Sequence, residues 1–184
     1  MDHQDHVNLL RRGIPVPGGV WADLGSGHGA FTLALADCLG SQGEIYSTDR
    51  DGGALKRQQQ TMQARFPAMN VHYLRVDFTQ LLHLPALDGI VMANSLHFLR
   101  EKGAALQLIH SYLKPGGRLI VVEYNVDRGN LWVPHPFSFR TWQALAQSYG
   151  FTQPQQLAVR PSRFLREIYS AVCFPVEESR QPAG

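Results

Sequence analysis

The segment Val20-Trp21-Ala22-Asp23-Leu24-Gly25-Ser26-Gly27-His28-Gly29 passes from a strand-length apolar run into glycines at alternate positions, and a helical pattern follows. Glycines after a strand let the backbone turn sharply and approach a ligand closely. The next helix then offers free N–H groups and the positive end of its dipole. Strand, glycine turn and helix open a βαβ unit, so a polar, often anionic ligand is expected at this turn. Gly25-Ser26-Gly27-His28-Gly29-Ala30 also fits the dinucleotide pattern G-x-G-x-x-A, so the loop alone leaves the ligand open.

Outward from this segment the apolar period alternates. Strand-length runs occupy Gly19 to Leu24, Glu44 to Thr48, Val71 to Val76, Gly89 to Ala93 and Arg118 to Glu123. Helical stretches lie between them. Gly29 to Leu39 spaces Phe31, Leu35 and Leu39 four apart. Asp51 to Phe66 opens on a capping Asp and stops at Pro67, and Leu96 to Leu113 stops at Lys114-Pro115-Gly116-Gly117. Parallel strands need crossovers, so the alternation predicts a doubly wound α/β fold with helices on both faces of a mostly parallel sheet. After a helix from Phe139 to Tyr149, closed by Gly150, the runs Gln155 to Val159 and Phe164 to Phe174 leave no room for a crossover. A C-terminal antiparallel hairpin is expected there.

At 184 residues the chain has the size of one domain, expected over 1–175 with 1–18 as an N-terminal covering segment and 176–184 as a loose tail. Val7 to Arg12 is read as a short covering helix. Hydrophobic residues at 44% and charged residues at 17% exclude a disordered chain, and no apolar run reaches membrane length. The opening Met1-Asp2-His3-Gln4-Asp5-His6 lacks an apolar export signal, which points to a cytoplasmic protein. A net charge of +2, with Lys and Arg scattered, advertises no nucleic-acid surface. Cys38 and Cys173 have no metal-ligand spacing and read as reduced, buried thiols, and no metal is expected. Gln58-Gln59-Gln60 reads as part of a solvated helix face.

Three acids narrow the ligand. Asp23, two places before Gly25, lies beneath the loop, where it holds the turn or meets a cationic amine; a pyrophosphate would be repelled by it. Asp49, ending the second strand, is placed to accept hydrogen bonds from both hydroxyls of a ribose. Asp77, followed by Phe78, suits the exocyclic amine of adenine with an aromatic ring on its face, although a turn cap before Thr79 is the plainer alternative. Together they describe an adenosine carrying an amino acid.

With these motifs in order, the chain resembles the class I S-adenosylmethionine-dependent methyltransferases from Val20 to about Glu123. Asp23 to Gly29 corresponds to the glycine-rich loop, Asp49 to the ribose acid, Asp77 to the adenine contact, Asp88 to Asn94 to the fourth strand, and Leu113 to Leu119 to the turn into the fifth. The resemblance implies a Rossmann-like sheet of seven strands with only the last antiparallel. It implies S-adenosylmethionine as cofactor, S-adenosylhomocysteine as product, and Asp23, Gly25, Ser26, Gly27, Gly29, Asp49, Arg50, Asp77, Phe78 and Asn94 as cofactor-binding residues. Arg50 departs from the apolar residue common after the ribose acid, and its guanidinium is expected to stack on the base instead.

A sulfonium methyl is already electrophilic, so transfer needs chiefly an aligned acceptor shielded from water. Acceptor contacts are expected at the carboxyl ends of strands four and five, where ligands sit in open α/β sheets: Asn94, Ser95, His97, Glu123, Tyr124 and Asn125. His97 is the candidate general base, although a His beginning a helix also serves as a cap or packing residue. Asn130 to Phe137, with Trp132 and a second base candidate in His135, is expected to roof an apolar acceptor or to form a packed surface loop. The fourth strand does not end in the Asn-Pro-Pro-Tyr type of motif that methylates amino groups of adenine or glutamine, and the missing cysteine cluster argues against arsenic. The expected partner is therefore a small-molecule acceptor offering O, N, S or C, with no nucleic acid or membrane, and a homodimer is left open. Two other classes compete: a non-catalytic cofactor-binding module, and an NAD(P)-dependent oxidoreductase, which would leave Asp23 and Asp77 without a purpose.

Overall fold

Seven strands form one sheet in the order β3-β2-β1-β4-β5-β7-β6 in the computed structural model, which describes residues 1–162 and 164–176. The strands are β1 (Gly19–Leu24), β2 (Gly43–Asp49), β3 (Asn70–Arg75), β4 (Leu87–Ala93), β5 (Leu113–Tyr124), β6 (Gln155–Pro161) and β7 (Glu167–Cys173). Neighbours from β1 to β5 pair in parallel, and β7 runs antiparallel to both β5 and β6. The expected sheet and hairpin are thus present.

Helices cover both faces because successive side chains of a strand point to opposite sides. Along β5, Ile120 and Val122 face the cluster built with α1 (His3–Leu10), α2 (Ala30–Leu39) and α3 (Gly52–Arg65). Leu119 and Val121 face the cluster built with α4 (Gly103–Tyr112) and α5 (Phe139–Ser148). Each fully buried Leu, Ile or Val contributes about 1.5–3 kcal/mol. Helix α1 starts earlier than expected, because Asp2 and Asp5 form a reciprocal capping box, and it buries Val7, Leu9 and Leu10 in the first cluster. Cys38 and Cys173 are buried and unpaired, and burial pushes the Cys38 thiol up to about 11.

Three boundaries depart from the sequence pattern. The helix expected over Leu96 to Leu113 is broken: Leu96–Phe98 forms a single 3-10 turn, Leu99 is extended, and α4 begins only at Gly103. The turn gives its carbonyls to other partners: the His97 carbonyl accepts the His135 N–H and the Leu99 carbonyl accepts the Lys102 ammonium, so neither serves a following helical turn. Strand β5 begins at Leu113 opposite Leu87, and the Pro-Gly-Gly sequence sits inside it at a register shift. Strand β7 begins at Glu167, since Arg166 is left-handed and its carbonyl closes the hairpin on the Ser162 N–H at 2.7 Å. The loose tail expected over 176–184 lies, apart from Val176, outside the described residues. No helix among the described residues is long and apolar enough to cross a membrane.

Candidate functional site

The first turn is built before any ligand is considered. The N–H groups of Gly25 and Ser26 both donate to the Thr48 carbonyl at 2.9 Å, which ties the loop to the end of β2. Asp49 accepts the Gly27 N–H on one carboxylate oxygen and the Asp51 N–H on the other, each at 2.8 Å. Ser26 donates to Gln58 and accepts from Ser47, while the Gln58 amide donates to Ser47. This closed polar ring corrects the reading of Gln58 as solvated: it is fully buried, whereas Gln59 and Gln60 are exposed. A helix period marks Gln58 as facing inward once Ala54, Leu55 and Met62 are seen on the same side of α3, and that was the available signal.

Asp23 is 1% exposed and accepts the Thr32 hydroxyl at 2.6 Å, so it clamps α2 to the strand end. Burial raises its pKa from 3.8 to about 7, against the opposing pull of the Thr32 bond. Of the two roles weighed for Asp23, the structure displays turn-holding.

A cavity of about 300 Å³ opens at the carboxyl ends of β1, β2 and β4. It brings together Gly25, Asp49, Arg50, Asp77, Phe78, Asn94 and Ser95, with Thr79, Phe98 and Leu99 added. Gly25 has φ +78°, and a Cβ built on it would stand 2.7 Å from the Ser95 Cβ and 3.2 Å from the Phe78 ring. Only glycine keeps that wall open. Asp77 spends one oxygen on the Thr79 N–H and hydroxyl, which hold its carboxyl below the usual range. Its other oxygen lies 3.5 Å from the exposed Arg50 guanidinium. The turn-cap role of Asp77 is therefore present, and a cavity-facing role is compatible with it.

Asn94 and Ser95 carry the clearest sign of a missing ligand. The Asn94 Oδ1 and the Ser95 Oγ are buried without a hydrogen-bond partner, and both residues line the cavity. Orphaned buried polar atoms are costly in a protein interior, so atoms of this kind in a cavity wall await a polar guest. Asn94 is also one of two left-handed non-glycine residues among those described, at φ +53°. Two carboxylates at adjacent strand tips, a glycine cradle and orphaned polar atoms fit the adenosine and amino-acid parts expected from the sequence.

Beside this cavity, His97 and Glu123 form a buried pair. Glu123 accepts the His97 backbone N–H at 3.2 Å on Oε1 and faces the ring Nδ1 at 2.8 Å on Oε2. Their side chains are 3% and 0% exposed. A carboxylate offers only acceptors here, so Nδ1 carries a hydrogen, and in the neutral ring the lone pair is on Nε2. Nε2 has no hydrogen-bond partner among the described residues, and His97 lies between the cavity-lining Ser95 and Phe98. Glu123 was expected as an acceptor contact, but it is fully buried with both oxygens turned to His97, so it reaches an acceptor only through that ring.

The remaining acceptor candidates are distributed differently. The Tyr124 ring lies 6.2 Å from the His97 ring, on the opposite face of β5 from Glu123. Asn125 is taken up by structure, since its amide donates to Glu167 at 2.5 Å and its carbonyl accepts the Phe139 N–H at 2.8 Å. Trp132 is 72% exposed on a turn capped by Asn130 and does not roof the cavity. The His135 side chain is exposed and borders a different cavity, so only its backbone, donating to the His97 carbonyl at 3.0 Å, reaches the site. Lys102 went unnoticed in the sequence. It is buried, its ammonium donates to the carbonyls of Leu99 and His135 at 2.7 and 3.2 Å, and burial lowers its pKa. A lone Lys before a helix gives no signal of this.

Residues 16–158 match the family described as a methyltransferase domain. Among curated relatives, the reducing polyketide synthase grgA of a Penicillium species is 26% identical over 88% of this chain and 7% of its own length. The ubiquinone/menaquinone biosynthesis C-methyltransferase UbiE of Teredinibacter turnerae is 31% identical over 62% of this chain and 47% of its own. The chain thus spans about half the length of UbiE and a small part of the synthase. Among solved structures, CalO1, a methyltransferase in calicheamicin biosynthesis in its SAH-bound form, is similar in fold with a TM-score of 0.72. It is 19% identical, over 95% of this chain and 54% of its own.

Proposed function

Because this chain belongs to the methyltransferase domain family, we propose that it moves the methyl group of S-adenosylmethionine onto a carbon atom of a small acceptor that becomes nucleophilic on losing a proton, either from a C–H beside a carbonyl or from the O–H of a hydroxylated ring. When bound, S-adenosylmethionine supplies an electrophilic methyl group. Gly25 admits it to the cavity, Asp49 takes the ribose hydroxyls, and Asp77, Phe78 and Arg50 take the adenine. The free Oδ1 of Asn94 suits the amino-acid ammonium.

The observation that carries the choice of acceptor is the buried His97–Glu123 pair. An amine attacks through a lone pair it already has, whereas an acceptor that bears an acidic hydrogen must lose a proton as the new bond forms, and the likeness to a C-methyltransferase favours carbon over oxygen. His97 takes that proton at Nε2. Glu123 holds the ring in the one tautomer that leaves Nε2 basic, and its charge stabilises the imidazolium that results. UbiE, itself a C-methyltransferase by name, supports this reading. A small-molecule acceptor is favoured, and a homodimer and a cytoplasmic location go with the proposal as its least constrained parts.

The test is product analysis with methyl-labelled S-adenosylmethionine against β-keto thioesters and hydroquinones, beside amines and thiols. A C-methylated product is expected. His97→Gln should lower turnover by about 100-fold or more while leaving cofactor affinity unchanged, and Glu123→Gln should cause a smaller loss. Methylation of nitrogen in place of carbon, or full activity in His97→Gln, overturns the assignment.

A further inference from the structure

Lys102 is the one buried Lys or Arg among the described residues, and the reaction proposed above does not use it. It stands where the turn that carries His97 meets the loop descending from Asn130. Two links join these segments. The His135 N–H donates to the His97 carbonyl at 3.0 Å, and the Lys102 ammonium bridges the carbonyls of Leu99 and His135 at 2.7 and 3.2 Å. The ammonium also lies over the Phe137 ring, whose centre is 5.0 Å from Nζ.

A single backbone hydrogen bond between two irregular segments acts as a hinge, whereas a second link two residues along makes a brace. We propose that Lys102 is a positioning residue for the methyl transfer, bracing the Leu96–Leu99 turn against the His135–Phe137 loop so that the His97 ring keeps its orientation toward the acceptor. The inference rests on His97 acting as the base.

The chemistry favours an ammonium for this task. It supplies three donors on a flexible stem, enough to satisfy carbonyls from separate segments that no helix or sheet provides for. Burying a charge without a directly bonded carboxylate is unfavourable, and Lys102 makes no ion pair within 4 Å among the described residues. The field of Glu123 acts in its favour, together with that of Glu101. A neutral side chain would satisfy the volume but leave the Leu99 and His135 carbonyls without this partner. Misplacing a reacting group by about 1 Å costs about 100-fold in rate, so a brace on a general base has a kinetic consequence well beyond its effect on stability.

The experiment compares wild type, Lys102→Met and Lys102→Arg, each loaded with S-adenosylhomocysteine for hydrogen exchange and then assayed with S-adenosylmethionine and a β-keto thioester. In Lys102→Met, the amides of Val133, His135 and Phe137 should exchange faster while those of β5 and β7 keep their protection. Turnover should fall by about ten-fold or more with the KM for S-adenosylmethionine unchanged, and Lys102→Arg, which can still reach two carbonyls, should recover most of both. If Lys102→Met does not fold, Lys102→Leu, which also lacks a donor, replaces it with the same readouts. Unchanged exchange and turnover in the Met variant would overturn the inference, as would an Arg variant no better than Met. A wild type that methylates no carbon acid would instead sink the functional reading, and the exchange comparison would still decide whether Lys102 is a brace.

Discussion

At the scale of single residues, Asp23 illustrates how burial converts a motif position into a pH-dependent one. Its carboxyl is raised from 3.8 to about 7 by desolvation, with the Thr32 hydroxyl acting the other way. An acid whose pKa rises on folding binds its proton more tightly in the folded state. Its contribution to stability is therefore full below about pH 4 and is lost as pH climbs through about 7. Asp23→Asn keeps an acceptor for Thr32 and cannot ionise, so its melting temperature should fall less than that of wild type between pH 5 and pH 8. Parallel melting curves across that range would show that Asp23 does not titrate there. Asp49 and Gly25 were legible as site residues because their positions relative to a strand end carry the meaning. Gln58 and Lys102 were not, because nothing local distinguishes them from other long polar side chains until their neighbours are known.

At the scale of elements, the close approach of β1 and β4 depends on one pair. Trp21 and Gly89 are register partners on adjacent strands, and a Cβ on Gly89 would run into the Trp21 ring. Trp21 is 4% exposed, with its ring packed over Gly89. Gly89→Ala should destabilise the protein by about 1–3 kcal/mol through overpacking, read as a lower Tm, and Trp21→Phe in the same chain should recover part of the loss. Additive effects of the two substitutions would contradict the clash. Glycine in a strand is visible in the sequence, but its reason is a partner 68 positions away in register. The broken α4 has the same origin. Apolar spacing from Leu96 to Leu113 suits a helix, yet Leu99 is extended and the His97 carbonyl is taken by the distant His135 N–H. A tertiary contact outweighs a weak local preference.

At the scale of the whole molecule, a ligand that binds only the folded chain raises its stability by mass action. S-adenosylmethionine at 100 times its Kd should contribute about 2.7 kcal/mol, which raises Tm by about 5–10 °C for a chain of this size. S-adenosylhomocysteine should do the same and NADH should not; a shift with NADH alone would favour the oxidoreductase alternative. The alternation of strand and helix periods, the glycine turn after β1 and the short spacing before β7 determined the sheet, its parallel direction and its terminal hairpin from sequence alone. Those features follow from backbone geometry, which acts over a few residues and leaves a regular trace. The pairing of His97 with Glu123, the orphaned atoms of Asn94 and Ser95, the burial of Gln58 and the brace at Lys102 were decided only by the tertiary structure. Each depends on strands and loops distant in sequence meeting at the carboxyl ends of the strands, where desolvation and hydrogen-bond satisfaction, rather than periodicity, select the residue.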